Sequence, residues 1–128
     1  MKSRKFSIPA RLHSFKYAFQ GMKWLIREEH NSWIHLTITI VLVPVCLLLR
    51  ISPMEWTIII LCIGLVLILE LINSVIERLL DKISPEHDPE IGKIKDLAAA
   101  AVLIGAISSA IAGLIILVPK FLALINPV

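Results

Sequence analysis

Three apolar stretches set the pattern of the chain: Trp33 to Leu49, Trp56 to Leu80 and Leu97 to Val118. Each approaches or exceeds the roughly 17–25 residues with which an α-helix crosses hydrocarbon, so the pattern predicts transmembrane helices at 33–49, 56–80 and 97–118. Ahead of them, Leu12, Phe15, Phe19, Met22 and Ile26 recur at helical spacing. Lys16, Gln20, Lys23 and Arg27 form a second stripe about 90° away, which predicts an amphipathic helix over 11–28 lying in the membrane interface with its basic side chains reaching toward headgroups. Arg50 to Glu55 makes a tight turn followed by Trp56 as an interface anchor, so the first two spans are expected to be antiparallel neighbours. The expected fold is an all-α polytopic membrane protein, a single domain over 1–128.

The second span is not uniformly apolar. After Trp56 to Leu69 the sequence reads Glu-Leu-Ile-Asn-Ser-Val-Ile-Glu from Glu70 to Glu77. At 3.6 residues per turn, Glu70, Asn73, Ser74, Glu77 and Asp81 fall at about 0°, −60°, +40°, −20° and +20°, one narrow polar stripe on an apolar helix. An ionisable residue in a membrane helix costs roughly 2.5–3.5 kcal/mol on insertion scales, so such a stripe requires a partner or a task. Polar glue between helices is the plain structural explanation. Two Glu and one Asp exceed what register-setting needs, and their spread of about 10–16 Å along the axis would carry a site from within the bilayer to its surface.

Composition changes the picture in two respects. With 128 residues, 57% of them hydrophobic, and a mean hydropathy of +0.83, the chain leaves little room for a separate soluble domain. The net charge of +3 is distributed by topology: Lys2, Arg4, Lys5, Arg11, Lys16, Lys23 and Arg27 precede the first span, and Arg78, Lys82, Lys93 and Lys95 lie between the second and third. The positive-inside rule places the N-terminus and that second loop in the cytoplasm, with the first loop and the C-terminus outside, and gives no reason to invoke nucleic acid. No uninterrupted apolar h-region follows the early basic residues, so a signal peptide is not expected. Cys46 and Cys62 sit in different spans without metal-ligand spacing and read as small apolar fillers.

At the cytoplasmic face the topology gathers Glu29, Glu77, Asp81, Glu86, Asp96, Lys93 and Lys95, with Glu70 deeper on the Glu77 stripe. Carboxylates from two chain segments beside lysines suit a Mg²⁺–phosphate site. A partly desolvated carboxylate below the surface suits general-base chemistry on a lipid hydroxyl. Neither soluble nucleotide cradle, G-x-x-x-x-G-K-[ST] or G-x-G-x-x-G, occurs. The residues alone leave three readings: a lipid kinase, a proton- or cation-coupled membrane subunit, and a structural membrane oligomer. The last draws on the small residues of the third span, Ala98 to Ala101, Gly105, Ser108, Ser109, Ala112 and Gly113, which let helices approach closely.

The Glu70 to Glu77 stretch, followed by Lys-Ile-Lys-Asp-Leu-Ala-Ala-Ala-Ala with Asp96 23 residues after Asn73, resembles the prokaryotic diacylglycerol kinase family of small membrane kinases. The resemblance covers nearly the whole chain, including Ser14 to Gly21, Glu29 eight residues after that glycine, and the order of the three spans. It implies ATP- and Mg²⁺-dependent phosphorylation of a lipid alcohol, diacylglycerol or undecaprenol, by a homotrimer with active sites between protomers. It puts the catalytic base on Glu70 with Asn73 beside it, and the metal carboxylates on Glu29 and Glu77. Nucleotide contacts fall on Arg11, Tyr17, Glu29, Glu77, Glu86, His87, Asp88, Lys95 and Asp96, with Asp96 also counted in the catalytic set. Asn31, His35 and the alanine run after Asp96 are more similar to the undecaprenol kinase branch. Ile94, and Asp88 between His87 and Pro89, depart from both branches.

Overall fold

The computed structural model describes residues 7–84 and 88–126. Among the described residues there are four helices, α1 (Ile8–Glu28), α2 (His30–Leu48), α3 (Pro53–Ile83) and α4 (Pro89–Ile125), and no strand. The last three are long and apolar enough to cross a membrane. Between 11% and 28% of their most apolar windows is buried within the chain, so most of this surface is left for lipid or for neighbouring chains.

Where the helices begin differs from the sequence expectation, for local reasons. Pro9 stands in the first turn of α1, where its missing N–H is one that a helix leaves unpaired anyway, so the helix starts at Ile8 and not at Arg11. Asp88 caps α4, its side chain accepting a hydrogen bond from the Glu90 N–H at 2.8 Å, and Pro89 opens the first turn. The third span therefore does not open at Lys95 and Asp96. Asp96 is the eighth residue of α4, which takes in 89–95 of the segment expected as a loop over 82–95, as α3 takes in 82 and 83. At about 1.5 Å per residue, α3 and α4 run roughly 46 and 55 Å, well past about 30 Å of hydrocarbon.

A single extended residue, Glu29 (φ −107°, ψ 112°), separates α1 from α2. The opposite connection is built tightly. Arg50 has φ 49°, and the N–H groups of Arg50 and Ile51 bond the carbonyls of Leu47 and Cys46, a Schellman closure of α2 that turns Ile51 into the core. Ser52 and Glu55 then cap α3 reciprocally, and Lys120 from α4 reaches Glu55 at 3.0 Å.

Two heptad-spaced faces meet between α2 and α3. On α2 the inward positions are Ser32, His35, Thr39, Leu42 and Cys46, and on α3 Ile59, Ile63, Val66, Glu70, Asn73 and Glu77. Cys46, Ile59, Leu42 and Ile63 share the core cluster beside the α2–α3 turn, and His35 meets Glu70. These contacts fix one antiparallel register along the whole seam. On the other side α3 and α4 form the most extensive helix pair, with the Leu69 side chain seated against Gly105, where an added Cβ would lie 2.3 Å from Leu69 Cδ1. The alanine run contributes less than expected to this approach: Ala98 is half-buried and Ala99, Ala100 and Ala101 are exposed.

Candidate functional site

The inner half of the α2–α3 seam is polar. Glu70 is 3% exposed and lies about 21 Å along α3 from Trp56, so it is within the apolar span. Its Oε1 is 3.0 Å from His35 Nε2, across the seam. A carboxylate taken this far from water is tenable only with such a partner. One turn further from the α2–α3 turn, Asn73 donates from Nδ2 to Glu77 Oε1 at 2.9 Å. Asn73 and Ser74 are buried and Glu77 is half-buried. The polar stripe therefore divides along the helix: Glu70 pairs with His35 of α2, while Asn73 pairs with Glu77 on its own helix.

At the same end, Arg78 ties the α1–α2 junction to α3. Its Nη1 is 2.8 Å from Glu28 Oε2 and its Nη2 3.0 Å from Glu29 Oε1. Glu29 is thereby brought to the level of the Glu77 turn. Lys95 of α4 pairs with Asp81 of α3. Lys93 pairs with Glu90 on its own helix at 2.7 Å.

Two buried oxygens, Ser32 Oγ and Asn73 Oδ1, have no hydrogen-bond partner among the described residues. Unmet groups of this kind cost about 1–3 kcal/mol each. On the other side of His35 an apolar groove of about 580 Å³ runs between α2, α3 and α4 past Leu42, Ile63, Val66 and Ala106 to Leu117. Its volume is in the range of small-molecule sites. One polar tie crosses beside it, Ser109 Oγ donating to the Cys62 carbonyl at 3.4 Å.

Of the residues singled out from sequence, Glu70, Asn73 and Glu77 lie along one face of α3, and Arg78 ties Glu29 to the same helix. Lys95 and Asp96 stand on α4, Asp96 exposed and Lys95 held by Asp81. Arg11 and Tyr17 are exposed on α1, and no hydrogen bond among the described residues joins Tyr17 to the seam. Asp88 is occupied as the cap of α4, while Glu86 and His87 lie outside the described residues. No three His, Cys, Asp or Glu side chains are grouped to hold a metal by themselves among the described residues. Sequence reasoning missed the Arg78 fork, the contact of His35 with Glu70, and Ser32. The 3,4 spacing from Ser32 to Cys46 was the available signal for the last two.

A family model described as prokaryotic diacylglycerol kinase matches residues 16–117. The chain is 38% identical over 107 residues to the undecaprenol kinase of Bacillus subtilis, covering 84% of this chain and 87% of that protein. It is 34% identical over 117 residues to the diacylglycerol kinase of Synechocystis, covering 91% of this chain and 67% of that protein. With the diacylglycerol kinase of Escherichia coli it shares 42% identity over 57 residues, 44% of this chain and 47% of the other. A match that begins within α1 and ends within α4 takes in the junction, the seam and both polar ends: this chain belongs to the prokaryotic diacylglycerol kinase family.

Proposed function

We propose that this protein is an integral-membrane kinase that transfers the γ-phosphate of ATP to a lipid hydroxyl, with Glu70 as general base. The observation that carries the reading is the desolvated carboxylate of Glu70, held through one oxygen by His35 at the polar end of an apolar groove. A hydrocarbon chain lying in that groove would bring its hydroxyl to the carboxylate. Glu70 takes the hydroxyl proton as the lipid oxygen bonds to the γ-phosphorus. The bond from phosphorus to the β,γ-bridging oxygen breaks, and ADP leaves with that electron pair.

Glu29 and Glu77 are the residues that would hold Mg²⁺. Their chemistry fits, since Mg²⁺ takes one or two carboxylates with phosphate oxygens and water completing the octahedron. Bound there, the ion would supply neutralisation of phosphate charge. Lys95, Asp96, Arg11, Tyr17 and the segment Glu86 to Asp88 are the nucleotide contacts of this reading, with Asn73 orienting Glu77 through its amide. Undecaprenol is the favoured acceptor, supported by the similarity to the Bacillus subtilis relative and by Asn31 and His35; diacylglycerol is the alternative. Assembly as a homotrimer in the inner membrane, N-terminus in the cytoplasm, completes the proposal and accounts for the apolar surface left uncovered by one chain.

The test is phosphoryl transfer in mixed micelles with labelled ATP and Mg²⁺, offering undecaprenol and diacylglycerol separately. Wild-type protein is expected to label one lipid, and Glu70→Gln to lose transfer while remaining folded and nucleotide-binding. Transfer by Glu70→Gln at the wild-type rate would remove Glu70 as base.

A further inference from the structure

The unmet oxygens Ser32 Oγ and Asn73 Oδ1 belong to residues that fall at one level of the α2–α3 seam. In the antiparallel register fixed by His35 and Glu70, stepping three residues back on α2 and three forward on α3 arrives at Ser32 opposite Asn73. This level lies about 4.5 Å nearer the cytoplasmic end than the His35–Glu70 contact. Ser32 is 3% exposed and Asn73 8%, so bulk water does not satisfy them. The amide of Asn73 is oriented by its Nδ2 bond to Glu77, which leaves the carbonyl oxygen as the unmet atom.

We propose that Ser32 and Asn73 recognise the acceptor alcohol, forming the hydroxyl-binding end of the lipid site; this rests on the lipid-kinase reading. The two atoms ask for complementary things. Asn73 Oδ1 can only accept, and Ser32 Oγ–H can donate. One alcohol hydroxyl meets both, its hydrogen given to Asn73 and its oxygen accepting from Ser32. Rotation about its C–O bond then turns the hydrogen toward Glu70, one turn deeper. After phosphorylation the same oxygen is an ester oxygen without a hydrogen, and Asn73 Oδ1 is again unmet. The site thus favours the alcohol over its phosphorylated product, because a buried acceptor left without a donor disfavours the complex. The apolar groove that begins at His35 supplies room for the chain of the same molecule.

Ser32→Ala separates this role from a structural one. Removing a buried hydroxyl that has no partner should leave the unfolding temperature equal to or above wild type. In micelles with undecaprenol, ATP and Mg²⁺, the KM for the lipid is expected to rise about tenfold, the worth of one hydrogen bond, with the KM for ATP changed less than about twofold. Ser32→Thr, which keeps the hydroxyl, should recover most of the loss. Unchanged lipid KM in active Ser32→Ala overturns the proposal and leaves the kinase reading standing, with Ser32 holding water. Loss of the fold in Ser32→Ala also overturns it, since Ser32 is assigned no structural partner. Wild-type protein that phosphorylates neither undecaprenol nor diacylglycerol removes the kinase reading and this proposal with it.

Discussion

Gly105 gives a mechanical test of how the α3–α4 pair sets the position of Glu70. An alanine Cβ at this position would lie 2.3 Å from Leu69 Cδ1 and 3.8 Å from Leu69 Cγ, with nothing else within 4 Å. The clash is therefore with the tip of one side chain, and Leu69 can leave by changing rotamer. Overpacking of this kind costs about 1–3 kcal/mol, while exchanging a mid-helix glycine for alanine returns about 1 kcal/mol of helix propensity. Gly105→Ala alone should thus destabilise by about 0–2 kcal/mol. In a Leu69→Ala background the obstacle is gone, and the same exchange should stabilise by about 1 kcal/mol. The double-mutant cycle, measured by reversible unfolding in mixed micelles, is expected to return a coupling of about 1–3 kcal/mol. Coupling below about 0.5 kcal/mol would refute the close approach of the helices at this point. Because Leu69 precedes Glu70 in the same turn, Gly105→Ala should also lower kcat more than its stability cost accounts for, since small misplacement of a catalytic group is expensive.

Two further substitutions bear on the ends of the seam. Arg78→Ala frees Glu28 and Glu29; with both partners partly exposed the unfolding temperature should change little, while the Mg²⁺ concentration for half-maximal transfer should fall because a competing cation has left Glu29. An unchanged Mg²⁺ titration would show that Arg78 and the metal do not share that carboxylate. Arg50→Gly relieves a left-handed residue at the end of α2 and should raise stability by about 1 kcal/mol, read as a higher unfolding temperature with activity unaltered.

The all-helical, membrane-crossing fold was legible in the sequence because length and hydropathy decide it, and the stripe from Glu70 to Glu77 was legible because charge in an apolar helix is expensive. Helix starts were harder to read. Pro9 and Pro89 look like breaks in a sequence, yet each occupies a first turn where proline is tolerated, and Asp88 becomes a cap through a side-chain bond that spacing does not reveal. Partners across the seam were hidden for a different reason. Nothing in the residues around His35 or Arg78 states the antiparallel register, and a shift of one helical position would pair them with other side chains.

That register also orders the seam by chemistry. From the α2–α3 turn it passes from Cys46 and Ile59 through Leu42 and Ile63 to the His35–Glu70 contact, then Ser32 and Asn73, and last the Arg78 fork with Glu28 and Glu29. The apolar groove opens along the first half and the carboxylates cluster along the second. On the proposed reading a lipid approaches the central contact through hydrocarbon and a nucleotide approaches it from water. Glu70 is where the two halves meet, and this accounts for a carboxylate placed so deep: one turn nearer the surface it would leave the end of the groove, and one turn deeper, at the Val66 position, it would lie opposite Thr39 with no His35 to hold it.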